Sequence, residues 1–247
     1  MKKIRRLFLL SHCDDEIFLL PFLLDSNAES TVVFFSTRQV TNGPESIRKI
    51  EATEANRLLN QFQKLETVFL EPEVRDGKIF QDFGPENYQY LEELIDRVKP
   101  DELVALAYEG GHQDHDAVEV ISKHLCANKN LEMVTCPAYC SSIFSKNLFR
   151  VMKSEKRQEN FTVNRLLNVW VALRIILIYK SQFKTWIGLA PFILINYAFS
   201  TFWITRVTSF SEPKELGRCF YEFRDRATQR EVLEHFRRIR DLSGNVS

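Results

Sequence analysis

Ile4-Arg5-Arg6-Leu7-Phe8-Leu9-Leu10 runs straight into Ser11-His12-Cys13-Asp14-Asp15-Glu16. The apolar part reads as a strand buried on both faces, because the run is short and a polar cluster stops it. The polar part then sets an imidazole and carboxylates at the strand's end with almost no spacer. A second stretch repeats the form: the strand-like run Leu103 to Tyr108 is followed by His112-Gln113-Asp114-His115. Two His/Asp clusters at the ends of two strands can converge on one divalent metal with a carboxylate to spare, which suggests metal-assisted hydrolysis.

Working outward from these two strands, helical and extended patterns alternate. A short helix is expected over Asp15–Leu24, a strand over Thr31–Phe35 and a helix over Pro44–Phe62, with Pro44 in its first turn. Thr67–Leu70 reads as the third strand, and Asp76-Gly77 as a turn. Leu91, Leu94, Ile95 and Val98 stripe a helix that stops before Pro100. Val118, Ile121 and Leu125 stripe another, before a fifth strand at Leu131–Thr135. This order predicts an α/β fold: a Rossmann-like, doubly wound, mostly parallel sheet of order 3-2-1-4-5 flanked by helices. In that order strands one and four are neighbours at the switch point, beyond whose carboxyl ends ligands bind. No G-x-G-x-x-G follows strand one and no P-loop pattern occurs, so the usual nucleotide readings lack support.

Residues 1–160 are expected to form the metal-dependent core, and 161–247 a hydrophobic helical extension packed on it. Leu166 to Tyr179 is largely apolar, with Arg165 and Arg174 beside and within it, and Thr185 to Thr205 carries no charge over 21 residues. Three readings are open for 185–205: helices covered by the protein or a partner, a membrane-surface element giving peripheral contact, or a span. The chain ends in a helix with Val232, Leu233, Phe236 and Ile239 on one face.

Formal net charge is zero with 27% charged residues, which argues against nucleic acid as a partner. Five cysteines, an odd number, argue for a reducing compartment and a cytoplasmic protein rather than a disulfide framework. Cys136 and Cys140 have no second pair to complete a structural zinc site. The basic start Met1 to Arg6 is followed by too short an apolar run for a signal peptide. Self-association is left open.

The chemistry follows from the donor types. His12, Asp15 and His115 would supply the three protein ligands of a catalytic zinc, keeping one position for water. Asp14 would serve as general base for that water. His112, protonated and opposite the metal, would stabilise an oxyanion or protonate a leaving amine, with Asp114 holding its second nitrogen. The plainer alternatives are capping carboxylates for Asp14 and Asp15, and loop histidines for His112 and His115. His124 and His235 are expected on the surface.

S-H-C-D-D-E resembles the A-H-P-D-D-E motif of the PIG-L/LmbE-like deacetylases, and H-Q-D-H resembles their H-x-D-H motif. Arg48-Lys49-Ile50-Glu51 looks like the family's R-x-x-E, and Tyr179-Lys180-Ser181-Gln182 weakly like a later S-Q element. The likeness covers roughly residues 3 to 140. It implies a zinc-dependent N-deacetylase acting on N-acetylglucosamine linked to an inositol, a lipid, a malate or another sugar; iron(II) suits the same donors. Residue by residue, it makes His12, Asp15 and His115 the metal ligands, Asp14 the base, His112 the oxyanion-stabilising histidine and Arg48 a substrate contact. An Arg48–Glu51 ion pair is the structural alternative. Cys13 departs from the family's proline, Gly110-Gly111 stands where some relatives have a tyrosine, and Asn42-Gly43 matches the family's loop only loosely. The expected function is therefore deacetylation of an N-acetylated amino-sugar conjugate, with a lipid-linked one favoured by the apolar C-terminal third. Its rivals are hydrolysis of another amide, such as a thiol conjugate or antibiotic precursor, and a non-catalytic sugar-binding or membrane-associated scaffold.

Overall fold

A computed structural model describes residues 2–37, 47–142, 145–152, 159–161, 164–208, 219–222 and 226–244. Five parallel strands form its centre: β1 (Ile4–His12), β2 (Ala28–Ser36), β3 (Lys64–Phe69), β4 (Glu102–Leu106) and β5 (Glu132–Cys136). Their order is β3-β2-β1-β4-β5, as the alternation of patterns predicts. The sheet does not stop there. β9 (Phe202–Val207) pairs antiparallel with β5, and β8 (Glu159–Phe161) pairs antiparallel with β9, giving seven strands. A separate hairpin joins β6 (Tyr139–Ser142) to β7 (Ser145–Val151).

The two-residue period of the strands sorts the core into two layers. Phe8 and Leu10 of β1, Val32 and Phe34 of β2, and Val104 and Leu106 of β4 belong to one apolar cluster. Their neighbours Leu7, Leu9, Val33, Phe35, Leu103 and Ala105 belong to the other. Both layers are covered by helices, so these strands carry apolar residues on both faces, each full burial contributing about 1.5–3 kcal/mol. Arg6, buried in β1, bridges Glu102 of β4 at 2.5 Å and Asp25 at 2.8 Å, pinning the two central strands together.

The helices are α1 (Leu20–Leu23), α2 (Ile47–Leu59), α3 (Ile79–Asp82), α4 (Pro85–Val98), α5 (Gln113–Lys129), α6 (Arg165–Ile178), α7 (Phe183–Phe199) and α8 (Gln229–Gly244). The helix expected over Asp15–Leu24 is instead a 3-10 turn, Asp15–Leu19, running into α1 with Pro21 in its first turn. Pro44 and Asn42-Gly43 lie outside the described residues, as do the side chains of Cys140, Phe236 and Ile239. The uncharged run 185–205 is divided between α7 and β9. Among the described residues no single helix is long and apolar enough to cross a membrane; α6 and α7 together meet that composition but bend by 85°.

Candidate metal centre

β1 and β4 lie side by side in parallel, Leu9 opposite Ala105, so their carboxyl ends open on the same edge. His12 is the last residue of β1, and Asp15 opens the 3-10 turn that follows. His112 caps α5: its Nδ1 accepts the Asp114 backbone N–H at 3.2 Å, which fixes the helix start and points Asp114 and His115 back over the sheet. Gly111 makes the approach to that cap feasible, since a Cβ there would sit 1.8 Å from the Tyr139 carbonyl oxygen.

His12, Asp15 and His115 meet. Each offers a donor atom within 4.8 Å of the others, and all three are buried. His115 Nε2 lies 3.1 Å from one Asp15 oxygen, and His12 Nδ1 lies 3.5 Å from the other. That second oxygen also accepts the His12 backbone N–H at 2.9 Å, so the turn itself orients the carboxylate. His12 Nε2 faces the other way, 3.0 Å from Asp114 and 3.3 Å from Asp76. His12, Asp76, His112 and Asp114 form a second set whose donor atoms lie within 4.8 Å of one another.

Asp114 does not hold His112, as the sequence reading expects; its carboxylate is spent on His12. It is fully buried and accepts backbone N–H groups from Gly77 at 2.6 Å and Ile79 at 3.3 Å. Gly77 has φ +77°, a conformation glycine adopts at little cost, and this aims its N–H at Asp114. With Nε2–H donated to Asp114, the Nδ1 lone pair of His12 is left toward Asp15 and His115, an orientation suited to a metal ligand.

His112 differs from expectation too. It is half-buried and its basicity is pushed down, first by desolvation and then by His12, with His115 acting in the same direction against Asp114. Its Nδ1 is occupied as an acceptor, so the neutral ring carries its proton on Nε2. It is a neutral donor rather than an imidazolium.

The electrostatics call for a cation. Asp14, Asp15, Asp76 and Asp114 gather around the imidazoles with Arg48 as the cationic partner. Desolvation works against a protonated His12, yet Asp76, Asp15 and the hydrogen bond to Asp114 together raise its pKa well above the ordinary value. Asp15 is buried, which alone would raise it, but His115 and His12 hold it well below the carboxylate range. Two imidazoles and one carboxylate, buried and negatively biased, fit a zinc-type ion. Asp14 goes the opposite way: burial pushes its pKa up, Arg48 pulls against this, and Asp15 adds to the rise.

Arg48 does not pair with Glu51. Its Nη1 donates to Asp76 at 2.9 Å, while Glu51 accepts from the backbone N–H and hydroxyl of Ser181 at 2.9 and 2.5 Å. Among the described residues, Arg48 Nε is buried with no hydrogen-bond acceptor. Cys13 is fully buried, points at the Ser36 carbonyl, and has its thiol pKa raised by desolvation, so it is inert.

Sequence reasoning missed Asp76, which it read only as part of a turn, and Tyr139. Tyr139 packs edge-on against His115 with ring centroids 5.5 Å apart, whereas the Tyr108 hydroxyl is taken by Gln229 at 3.1 Å. His124 and His235 are not on the surface. Both are buried, on α5 and α8, because those helices pack against each other.

The fold matches solved proteins, and the His/Asp centre lies at the carboxyl ends of its central strands. Together with the family match below, these features support a metal-dependent deacetylase, an enzyme that hydrolyses an amide bond. Residues 7–126 match the model of the PIG-L family, which is described as GlcNAc-PI de-N-acetylase. A deacetylase triple mutant from the teicoplanin biosynthetic pathway superposes with a TM-score of 0.60 at 15% identity, covering 83% of this chain and 99% of its own. The deacetylase of the antimicrobial A40926 pseudoaglycone gives 0.54 at 13% identity, covering 84% of this chain and 99% of its own. A conserved protein from Thermus thermophilus gives 0.55 at 17%, covering 81% and 92%. No curated protein matches the chain by sequence.

Proposed function

We propose that this chain is a zinc-dependent N-deacetylase that cleaves the acetamide of an N-acetylglucosamine-type glycoconjugate. The observation that carries the reading is the buried convergence of His12, Asp15 and His115 from strand ends about a hundred residues apart. Those three residues would hold the ion. When bound, zinc supplies Lewis acidity and lowers the pKa of a water toward about 7.

The chain's own residues do the rest. Asp14, made more basic by burial, takes the proton of the attacking water, and Arg48 keeps it ionised until then. Neutral His112 donates its Nε2–H to the oxygen of the acetyl group as charge builds there. As the C–N bond breaks, acetate departs and the sugar amine takes the proton held by Asp14. Arg48 contacts a sugar hydroxyl or an anionic group of the aglycone through its guanidinium, whose direction Asp76 fixes. Asp114 is a positioning residue that sets the tautomer of His12. A deacetylase of teicoplanin biosynthesis, solved in complex with teicoplanin, and the A40926 pseudoaglycone deacetylase support an acetylated conjugate as substrate, and a zinc-inhibited form of the teicoplanin enzyme supports zinc affinity in this fold. Cys13, Cys126, Cys136 and Cys219 are free thiols, in keeping with a reducing, cytoplasmic setting.

Metal analysis combined with acetate release from a panel of N-acetylglucosamine conjugates tests the proposal. Asp14→Ala and His112→Ala are expected to keep the metal and lose about 10²–10⁴ in turnover, whereas His115→Ala loses the metal. Ordinary turnover by a folded Asp14→Ala protein would reject the assignment.

A further inference from the structure

α6 and α7 lack the polar outer face that a surface helix ordinarily presents. On α6 the buried residues are Asn168, Val171, Ala172 and Ile175. The opposite row is Leu166, Trp170, Leu173 and Leu177, each between 43% and 84% exposed. α7 buries Trp186, Leu189, Ile193 and Tyr197 and turns Phe183, Ile187, Phe192, Ile195 and Phe199 outward, every one at least 49% exposed. A helix that is apolar all round is covered by protein or by lipid, and an apolar surface of this extent marks an interaction site.

Charge tells the two covers apart. From Asn160 to Ser211 the chain has no aspartate or glutamate, yet it carries Arg165, Arg174, Lys180, Lys184 and Arg206. Arg206 is engaged by Glu132 and Glu159, but the other four are solvent-exposed along the two helices. Arg174 lies over the exposed Trp170 ring at 5.9 Å. Apolar insertion, an interfacial tryptophan and a purely basic surround complement an anionic bilayer surface. The 85° bend sets the pair across such a surface rather than through it.

We infer that the α6–α7 elbow is a monotopic anchor that docks on an anionic lipid surface. The sequence reading left a membrane-surface element as one of three options for 185–205; the inference places it over 166–199, on both α6 and α7. The elbow is also tied to the metal centre. Tyr179, at the bend, donates its hydroxyl to Glu16 at 2.5 Å, next to Asp15, and Ser181 holds Glu51 on α2, the helix that carries Arg48. Docking therefore sets the centre beside the headgroup layer. The inference rests on the exposed surface and stands whatever amide the centre hydrolyses.

The test is flotation of the full chain with two vesicle types, pure phosphatidylcholine and phosphatidylcholine with roughly one-third phosphatidylserine. The protein is expected to float with the second and far less with the first. Phe183→Ser/Ile187→Ser/Phe199→Ser, all at exposed positions, should lower partitioning by more than about tenfold while leaving the melting curve unchanged. Lys180→Glu/Lys184→Glu should lower binding to the anionic vesicles alone, which keeps the test valid if the triple variant misfolds. A protein that stays at the bottom with both vesicle types overturns the inference. So does one whose variants float like the wild type, or a lipid-free dimer that the triple variant makes monomeric, since a second copy would then be the cover. Acetate release from a soluble N-acetylglucosaminide, run in parallel, reports separately on the proposed reaction.

Discussion

Replacing Asp114 by asparagine isolates the orientation of His12 from its identity. Asp114 Oδ2 receives both His12 Nε2 at 3.0 Å and the Gly77 N–H at 2.6 Å, and Oδ1 receives the Ile79 N–H at 3.3 Å. An asparagine carbonyl in the Oδ2 position keeps two of these three bonds but removes the charge, and its NH₂ then faces the Ile79 donor. The lost charge assistance on a ligating histidine corresponds to a 10–100-fold drop in metal affinity, about 1.4–2.7 kcal/mol. The Ile79 N–H left unpaired adds about 1–3 kcal/mol to the folding cost. Competitive chelation followed by metal analysis reads the first quantity, and thermal denaturation reads the second. Asp114→Ala orphans the Gly77 donor as well, so its stability loss should exceed that of Asp114→Asn. If Asp114→Asn binds zinc as tightly as the wild type, the charge of Asp114 does not strengthen His12 as a ligand and that part of the reasoning fails; Asp114→Ala, which also removes the Nε2 acceptor, then tests the orientation.

Three other perturbations follow from the geometry. Arg48→Met should raise KM by about tenfold or more for conjugates with an anionic aglycone while leaving metal content unchanged, because one charge-assisted contact is lost; equal kinetics on anionic and neutral substrates would contradict this. Gly111→Ala should destabilise the fold by roughly 3 kcal/mol or more, since the added Cβ would meet the Tyr139 carbonyl at 1.8 Å, and calorimetry measures it. His235, buried on α8, is pushed down to about 3 by desolvation, then by Arg238 and His124. Its folded pKa lies below the ordinary 6.5, so the unfolded chain binds the proton first and stability drains away as pH falls from that value. At pH 5 the loss is about 2 kcal/mol, and His235→Gln should remove about that much of the fall in urea-unfolding free energy between pH 7 and 5.

The two clusters at the ends of β1 and β4 were legible because strand, polar stop and switch-point topology are all local or topological signals. Once the order β3-β2-β1-β4-β5 is fixed, His12, Asp15 and His115 have to approach each other. Asp76 was not legible, since an Asp-Gly pair after a strand reads as a turn whatever its carboxylate touches. The same limit hid the partner of Asp114: a helix start gives the direction of a side chain but not which ring it will meet. The run 185–205 defeated periodicity for another reason. α7 is apolar on both faces and β9 carries Phe202 and Ile204 into the core, so helix and strand share one composition and no polar stripe marks the break. His124 and His235 were misread because a lone histidine on a helix gives no sign of a facing helix.

The turn bearing Asp14, Asp15 and Glu16 is braced from far downstream: Tyr179 grips Glu16, and Tyr197 donates to the Ile17 carbonyl at 2.5 Å. The family match ends at residue 126, so a fragment cut to that boundary would retain every proposed ligand and still lack both struts. Competence for the proposed reaction is therefore expected of the assembled chain rather than of the motif-bearing half alone.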